Sequence, residues 1–440
     1  MKFAANHPVG LGGRPSDWGG KVLPYRERAR ITKEWLKLRL ETILPDLMKR
    51  NSFDMWIVCV REYNEGPLIM TLLPSPMLTA RRRTILVFTR QPDDTVERII
   101  LARPGLGVYD LYKDELNRNP EDAINVAPGE TQWEALARIV RERDPKTIGI
   151  NISETFQFAD DLTYTEYNQL MAALGPKYAQ RVRGAEKLSV GWLERRLPVE
   201  IQAYPGIQHI AYGIIKEAFS PRVAHPGVTT GLDLAWWMRQ RVHDLGLTTY
   251  FQPTVSIQRQ GVKGNTEEDA VIQQGDILHC DFGIYYLGLH TDIQELAYVL
   301  KFGESDAPAG LKAALATGNR LQDILAEEMI PGRSGNEILR ASLSKAAGEG
   351  IRAMIYTHPI GTHIHAAGMY VGMTDMQQGV PGTGDWVLVN DTCYSFELNI
   401  KQYVPEWDQD VTIALETDVA VIDGRVYYLG GRQTEFHLVE

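Results

Sequence analysis

The chain is poor in cysteine and has no long apolar run. Its 440 residues include three cysteines, Cys59, Cys280 and Cys393, which stand singly in apolar segments without metal-binding spacing. They predict buried free thiols in a reducing compartment, not a disulfide framework. No segment approaches the roughly 20 consecutive apolar residues of a membrane span, so we expect a soluble globular protein without a membrane partner.

Positive charge is also scarce. Lysine and arginine number 46 against 56 aspartates and glutamates, a formal net charge of -10. Because phosphate backbones are bound by a concentrated positive field, we expect no nucleic-acid partner. The first residues lack the apolar core of a secretory signal, which favours the cytoplasm, although a signal peptide removed before residue 1 would leave the same sequence.

The length is sufficient for two domains, each with its own core. Residues 1–22, rich in glycine and proline, predict an irregular arm. Residues 23–189 alternate helix-like and strand-like patterns, which is typical of an α/β layer domain. Helices are predicted at Tyr25–Lys49 and Thr131–Arg143, and strands at Met55–Val60, Thr84–Phe88, Arg98–Ala102 and Thr147–Ile152.

We place the domain boundary near residue 190, with a second domain over residues 190–440. Its first half reads as helices and its end as strands, so the whole chain is predicted to be α/β, with α+β character. Helices are predicted from about Val199 and at Leu232–Leu245, Gly310–Met329 and Gly335–Ala347, and strands at Val387–Asn390, Tyr394–Ile400, Val411–Glu416 and Val419–Ile422.

The segment from Gly275 to Leu300 predicts a β-hairpin that carries two acidic side chains. With the turn centred between Tyr286 and Leu287, Asp281 and Asp292 face each other, and cross-strand Cβ atoms lie roughly 5 Å apart. Two carboxylates this close on apolar strands repel unless a positive charge lies between them. The alternative is a pair of solvated acids at a sheet edge.

Further candidate ligands follow downstream. His358, His363 and His365 lie within eight residues of a chain that has ten histidines in all. Glu397 and Glu416 interrupt apolar strand patterns, where an unpaired carboxylate is costly to bury. Each taken alone is typical of a structural histidine or a surface acid. Their clustering near an acidic hairpin favours a metal or proton-transfer site.

In chain order these residues resemble the five ligands of the "pita-bread" metallohydrolases, which include methionine aminopeptidase, Xaa-Pro aminopeptidase, prolidase and creatinase. The set is Asp281, Asp292, His358, Glu397 and Glu416. His358 and His365 keep the seven-residue spacing of the metal-binding and catalytic histidines in the proline-directed members. Residues 413–421 resemble the family segment Ile-x-Ile-Glu-Asp-x-Val-x-Val. A preceding α/β domain is similar to the creatinase, prolidase and Xaa-Pro aminopeptidase branch.

The resemblance implies a creatinase-like amino-terminal domain, a pita-bread catalytic domain, a homodimer and two divalent metal ions. Four carboxylates and one imidazole suit Mn²⁺ first, and Co²⁺, Zn²⁺ or Fe²⁺ are compatible. By the family's assignment Asp281 binds one ion and His358 the other, while Asp292 and Glu416 bridge them. Glu397 is then both ligand and general base. His365 is implied to polarise the scissile carbonyl or to stabilise the oxyanion.

The sequence departs from the proline-directed enzymes around the substrate. Residues 254–261, just before the hairpin, lack the histidine that those enzymes use for substrate binding, and Gln258 or Arg259 occupies its neighbourhood. His363 is a third substrate-binding candidate. Alternation from His365 predicts both histidines on one strand face, where a structural role for His363 is an equal alternative.

The sequence therefore predicts a dinuclear metal-dependent exopeptidase that hydrolyses Xaa-Pro bonds of short peptides. The substituted substrate-side positions support an alternative, a pita-bread enzyme acting on a non-peptide small molecule as a C–N or phosphoester hydrolase or a lyase. A catalytically silent binding module is a third reading. The complete ligand set argues against it, because a silent site has no need to keep several ionisable groups together.

Overall fold

The chain divides into two compact units. The computed structural model describes residues 22–75, 77–102, 108–116 and 129–440. The first unit is Pro24–Leu197, and the second is Pro198–Glu440 together with Val22 and Leu23. The division falls seven residues after the expected boundary near 190. Of the expected amino-terminal arm, residues 1–21 lie outside the described residues.

The first unit is a six-stranded mixed sheet with helices. Its described helices are α1 (Tyr25–Arg50), α2 (Pro67–Met70), α3 (Gln132–Arg143), α4 (Tyr164–Ala179) and α5 (Glu186–Glu194). Its described strands are β1 (Met55–Arg61), β2 (Arg83–Arg90), β3 (Val96–Leu101), β4 (Lys113–Asp114), β5 (Ile148–Ile150) and β6 (Val182–Gly184). The predicted helices and strands are all present, with ends shifted by no more than two residues.

The sheet has the order β4-β3-β2-β1-β5-β6. Strand β1 lies inside it, antiparallel to β2 and parallel to β5, and its apolar residues from Met55 to Val60 are buried. Thr131 caps the start of helix α3. Its side chain accepts from the backbone N–H of Glu134, and the side chain of Glu134 accepts from the backbone N–H of Thr131. The apolar side of this helix belongs to the core that covers the sheet.

In its described residues the second unit contains four α-helices and several small sheets. Its helices are α6 (Pro198–Ala218), α7 (Gly231–Asp244), α8 (Ala309–Glu328) and α9 (Gly335–Gly348). Its strands are β7 (Thr254–Gln258), β8 (Ile277–Phe282), β9 (Tyr285–Tyr286), β10 (Leu289–His290), β11 (Ile293–Val299), β12 (Arg352–Ile355), β13 (His358–Ile360), β14 (Thr392–Ser395), β15 (Leu398–Val404), β16 (Gln409–Leu415), β17 (Asp418–Ile422), β18 (Arg425–Tyr428) and β19 (His437–Val439).

Three chain segments of this unit pass from one sheet into another, and the points at which they cross lie side by side. Strands β12, β15 and β16 form one sheet, and β13, β14 and β17 continue the same segments into a second sheet that also holds β18. Two residues separate the strands in each segment, namely 356–357, 396–397 and 416–417. We call these six residues the crossover.

The three breaks lie side by side because the strand pairs keep register on both sides of them. On one side Leu398 pairs with both Ile355 and Leu415. On the other side Ser395 pairs with His358 and with Asp418. Helices α8 and α9 share a buried apolar core with these strands. Glu397 and Glu416 are therefore held at a fixed seam between two sheets.

The crossover corrects two sequence predictions. The expected continuous strand Tyr394–Ile400 is broken at 396–397, so simple alternation does not place Ser395, Glu397 and Asn399 on one face of one strand. The expected strand Val387–Asn390 is absent, and Val387 forms only an isolated bridge to Ser334. Apolar alternation reports exposure along a chain and carries no signal for a change of sheet.

The acidic hairpin is present, but its register differs from the prediction. Its turn is centred on Leu287 and Gly288, both at positive φ (55° and 80°), as a two-residue type I′ turn requires. Asp281 therefore pairs with Gln294 instead of Asp292. Asp292 lies two residues earlier on the same face, as a diagonal neighbour of Asp281.

The structure bears on two expectations, one drawn from the small number of cysteines and the other from the lack of long apolar runs. Cys59, Cys280 and Cys393 are buried thiols outside any disulfide, as predicted. Within the described ranges, none of the helices combines the length and the apolar composition needed to cross a lipid bilayer.

Gly283 is the point of closest approach in the hairpin, and its replacement tests the packing. A Cβ built there would lie 2.2 Å from the backbone oxygen of Thr291. Since backbone cannot move aside cheaply, Gly283→Ala is expected to lower the free energy of unfolding by about 1–3 kcal/mol. Thermal melting of the purified variant measures this.

Gly348→Ala is the matched control, because no atom lies within 4 Å of the Cβ position there and the residue ends helix α9. A loss of stability in the control as large as in Gly283→Ala would contradict the assignment of the effect to close packing.

Candidate metal centre

Six side chains converge on the crossover and the acidic hairpin. They form three groups in which one potential ligand atom from each residue lies within 4.8 Å of the others. The groups are Asp281, Asp292 and Glu416; His358, Glu397 and Glu416; and Asp292, His358 and His365. Asp292, His358 and Glu416 each belong to two groups, so the three groups form one continuous site.

Each residue is positioned by a different part of the fold. Asp281 lies on β8 and Asp292 immediately precedes β11, while Glu397 and Glu416 belong to the crossover. His358 is the first residue of β13. His365 lies in an irregular segment, not on the strand that alternation predicted, and its ring centre is 4.7 Å from that of His358.

The site is buried, and burial disfavours the charged form of its acidic side chains. The residues Asp292, His358 and Glu416 are only 4%, 3% and 3% exposed. Burial and the nearby Glu416 raise the pKa of Asp281 to about 8, and the same two causes raise the pKa of Asp292 and of Glu397. Without a cation among them, these acids retain protons well above their usual range.

His358 responds in the opposite sense. Burial alone lowers its pKa, but the neighbouring carboxylates of Asp292 and Glu416 outweigh burial, and the net pKa is raised. The pKa of His365 is lowered, by partial burial and by the neighbouring His358.

The donor atoms fit a divalent cation. Asp281 Oδ1, Asp292 Oδ1 and His358 Nε2 are buried and have no hydrogen-bond partner among the described residues. His358 Nδ1 lies 3.1 Å from the carbonyl oxygen of Pro359 and donates to it, so Nε2 is the nitrogen that can bind a cation once its proton is displaced. Nε2 lies 3.4 Å from Glu416 Oε1, 3.6 Å from Asp292 Oδ2 and 4.0 Å from Glu397 Oε2. A cation among these atoms would satisfy all of them.

The polar groups of two predicted substrate-binding residues are engaged elsewhere. The side-chain amide of Gln258 pairs with the backbone of Thr412, donating at 2.8 Å and accepting at 2.9 Å. Both Nε and Nη2 of Arg259 donate to the carboxylate of Asp276 at 2.8 Å. The structure therefore does not bring Gln258 or Arg259 into the acidic cluster.

His363 lies in the same irregular segment as His365 and outside the three ligand groups. Its Nδ1 is 3.3 Å from the hydroxyl of Thr362, and its charge interacts with His290 on β10.

Sequence reasoning missed three polar residues beside the cluster, two of which contact it directly. Gln294 donates to Glu397 and Glu416, and His279 contacts Gln294. The hydroxyl of Ser395 donates to Glu416 Oε1 at 2.7 Å. Period-2 alternation from Asp281 and Asp292 places His279 and Gln294 on the same strand faces as these acids, and this was the available signal.

The cluster lies in a recognisable domain. Residues 207–423, which include all six clustered residues, match the sequence profile of metallopeptidase family M24. This part of the chain is an M24 metallopeptidase domain. The match confirms the resemblance drawn from the motifs, and it supports a metal-dependent hydrolase. No curated protein sequence is significantly similar to the chain.

Solved structures with the same fold extend across both units. An X-Pro aminopeptidase from Thermotoga maritima has a TM-score of 0.63 at 14% identity, and 89% of this chain and 99% of that chain are covered. A dipeptidase from Pyrococcus horikoshii has a TM-score of 0.59 at 18% sequence identity, and the match covers 91% of this chain and 99% of that chain. An Xaa-Pro dipeptidase from Bacillus anthracis has a TM-score of 0.56 at 17% sequence identity, and the match covers 93% of this chain and 99% of that chain. The chain therefore has the predicted fold, an α/β unit followed by the pita-bread M24 domain.

If the cluster holds a cation, divalent metal must stabilise the M24 domain. MnCl₂ at roughly 100 times its dissociation constant is expected to add about 2.7 kcal/mol to the free energy of unfolding of the metal-free protein. Replacing His358 by alanine removes the imidazole donor and is expected to abolish most of this gain. Differential scanning calorimetry with and without MnCl₂ measures both effects.

His243→Ala is the control for the histidine change, because that side chain is 86% exposed on α7. An equal MnCl₂-dependent rise in melting temperature in the wild type and in His358→Ala would show that manganese binds elsewhere.

Proposed function

We propose that the chain is a dinuclear metal-dependent exopeptidase that hydrolyses Xaa-Pro bonds in short peptides. The observation that carries the proposal is the overlap of the ligand groups. Asp281, Asp292 and Glu416 form one group and His358, Glu397 and Glu416 another, so two cations can share ligands. Membership of a metallopeptidase family supports the same reaction class.

In this proposal the ligands divide as the family resemblance implies. Asp281 would hold one ion and His358 the other, Asp292 and Glu416 would be shared between them, and Glu397 would be a further ligand as well as the general base. Oxygen ligands with one imidazole favour Mn²⁺, with Co²⁺, Zn²⁺ and Fe²⁺ compatible. Bound there, the ions would supply Lewis acidity and a water of lowered pKa.

The chain's own residues then move the protons and orient the substrate. Glu397 is the one carboxylate of the crossover that is only partly buried, with its side chain 19% exposed. This exposure lets it accept a proton from the attacking water and return it to the leaving nitrogen. His365 is exposed beside His358, where its ring can donate a hydrogen bond to the scissile carbonyl oxygen.

The preference for proline rests on two supports. His358 and His365 keep the spacing found in the proline-directed enzymes. The two solved structures named as an X-Pro aminopeptidase and an Xaa-Pro dipeptidase share the fold over most of the chain. We also expect a homodimer, which light scattering of the eluted protein would test.

A second candidate is an enzyme for a non-peptide small molecule. The side chains of Gln258 and Arg259 are tied to Thr412 and Asp276, so neither supplies the missing upstream histidine in the described arrangement. This observation favours a changed substrate while the metal ligands stay the same.

Peptide hydrolysis separates the two candidates. Chelated and then Mn²⁺-reconstituted protein is expected to cleave an Xaa-Pro dipeptide or an Xaa-Pro-Xaa tripeptide faster than a matched peptide without proline. Glu397→Gln removes the proton acceptor and is expected to lower kcat by about 10²–10⁴-fold. Amino-acid release, followed by chromatography, gives the rates.

Glu267→Gln is the matched control, since Glu267 is exposed. Cleavage that persists in the chelated protein, or equally in Glu397→Gln, would refute the metallopeptidase mechanism. Metal binding without cleavage of any peptide would favour the small-molecule alternative.

A further inference from the structure

Gln294 contacts both glutamates of the crossover. It lies on β11 directly opposite Asp281 and is 4% exposed. Its side-chain Nε2 lies 2.6 Å from Glu397 Oε1 and 2.8 Å from Glu416 Oε2. Its backbone also forms an isolated β-bridge with Glu416. The N–H of Gln294 donates to the carbonyl oxygen of Glu416 at 3.1 Å, and the N–H of Glu416 donates to the carbonyl oxygen of Gln294 at 3.4 Å. One buried residue therefore joins two of the three breaks.

The chemistry of the partners determines how the amide is oriented. A carboxylate oxygen only accepts, whereas an amide NH₂ carries two donors. Both donors of Gln294 must therefore point at the glutamates, and Oε1 must point away from them. That oxygen lies 2.9 Å from His279 Nε2.

His279 extends this arrangement by one more hydrogen bond. Because Gln294 Oε1 only accepts, His279 Nε2 carries the proton and Nδ1 is left as an acceptor. The hydroxyl of Ser256 lies 3.4 Å from Nδ1 and can donate to it. Every bond then runs in one direction, from Ser256 through His279 and Gln294 to the two glutamates.

The bonds distinguish the two oxygens of each glutamate. Gln294 takes Glu397 Oε1 and Glu416 Oε2. The other two oxygens, Glu397 Oε2 and Glu416 Oε1, are those nearest to His358 Nε2. The amide thus occupies one oxygen of each glutamate and leaves the other directed at the shared ligand position.

We propose that Gln294, held by His279, is a positioning residue that fixes the side-chain orientations of Glu397 and Glu416 for metal binding. The proposal rests on the proposed metal centre and adds residues that set its affinity. A neutral amide suits this role because it donates two hydrogen bonds without adding a positive charge, and a positive charge there would compete with the cations.

Titration of the metal-free protein with MnCl₂ by isothermal calorimetry tests the proposal without reference to activity. Gln294→Met keeps the chain length and removes both donors, and is expected to weaken Mn²⁺ binding by about 10–100-fold. His279→Leu is expected to weaken it less, because the amide remains but loses its anchor. His279→Gln restores a donor and is expected to recover affinity close to the wild type.

The double variant decides whether the two residues act in series. If His279 acts only through Gln294, then Gln294→Met combined with His279→Leu binds Mn²⁺ no more weakly than Gln294→Met alone. Circular dichroism and melting of the metal-free variants establish that each is folded. If Gln294→Met does not fold, the comparison of His279→Leu with His279→Gln carries the test.

Wild-type affinity in a folded Gln294→Met, or additive losses in the double variant, would overturn the proposal while the metal centre stands. Equal weakening in His279→Leu and His279→Gln would overturn the role of His279 as a hydrogen-bond donor. Absence of Mn²⁺ binding in the wild type would overturn the proposed centre itself, and this inference with it.

Discussion

Repulsion between buried carboxylates is the constraint on which the M24 domain's site depends. Asp281, Asp292, Glu397 and Glu416 are gathered where water cannot fully solvate them, and burial raises the pKa of the first three. A fold that collects four such groups around the single imidazole of His358 stores electrostatic free energy. A divalent cation bound among these acids would offset their repulsion, which is why the donor set fits a metal.

The rest of the domain holds these charges in place. Strands β8 and β11 carry the aspartates, and the crossover carries the glutamates between two hydrogen-bonded sheets. Helices α8 and α9 share a buried apolar core with the strands on both sides of that seam. Neutral donors, Gln294 and Ser395, occupy the carboxylate oxygens without cancelling their charge. The carboxylates of Glu397 and Glu416 therefore remain available to a cation.

Much of this could be read from the sequence, and the failures have physical causes. The candidate ligands were found because acids on apolar strands conflict with burial, and the helices because their apolar residues recur with a helical period. The register of the hairpin was wrong by one residue at the turn centre, since Leu287 at positive φ carries no sequence signal. The crossover was missed because alternation is blind to a change of sheet. Gln294 and His279 were missed because single polar residues on a strand are read as exposed until their partners are known.

The crossover also divides the domain into parts that can and cannot change length. Each break is two residues long and is bounded by paired strands on both sides. An inserted residue there would rotate a ligand away from its neighbours. The connection from Gly361 to Asp391 joins β13 to β14 outside these pairings. Its first residues include His365, so a change of length leaves all six clustered residues in place only where it falls beyond that histidine.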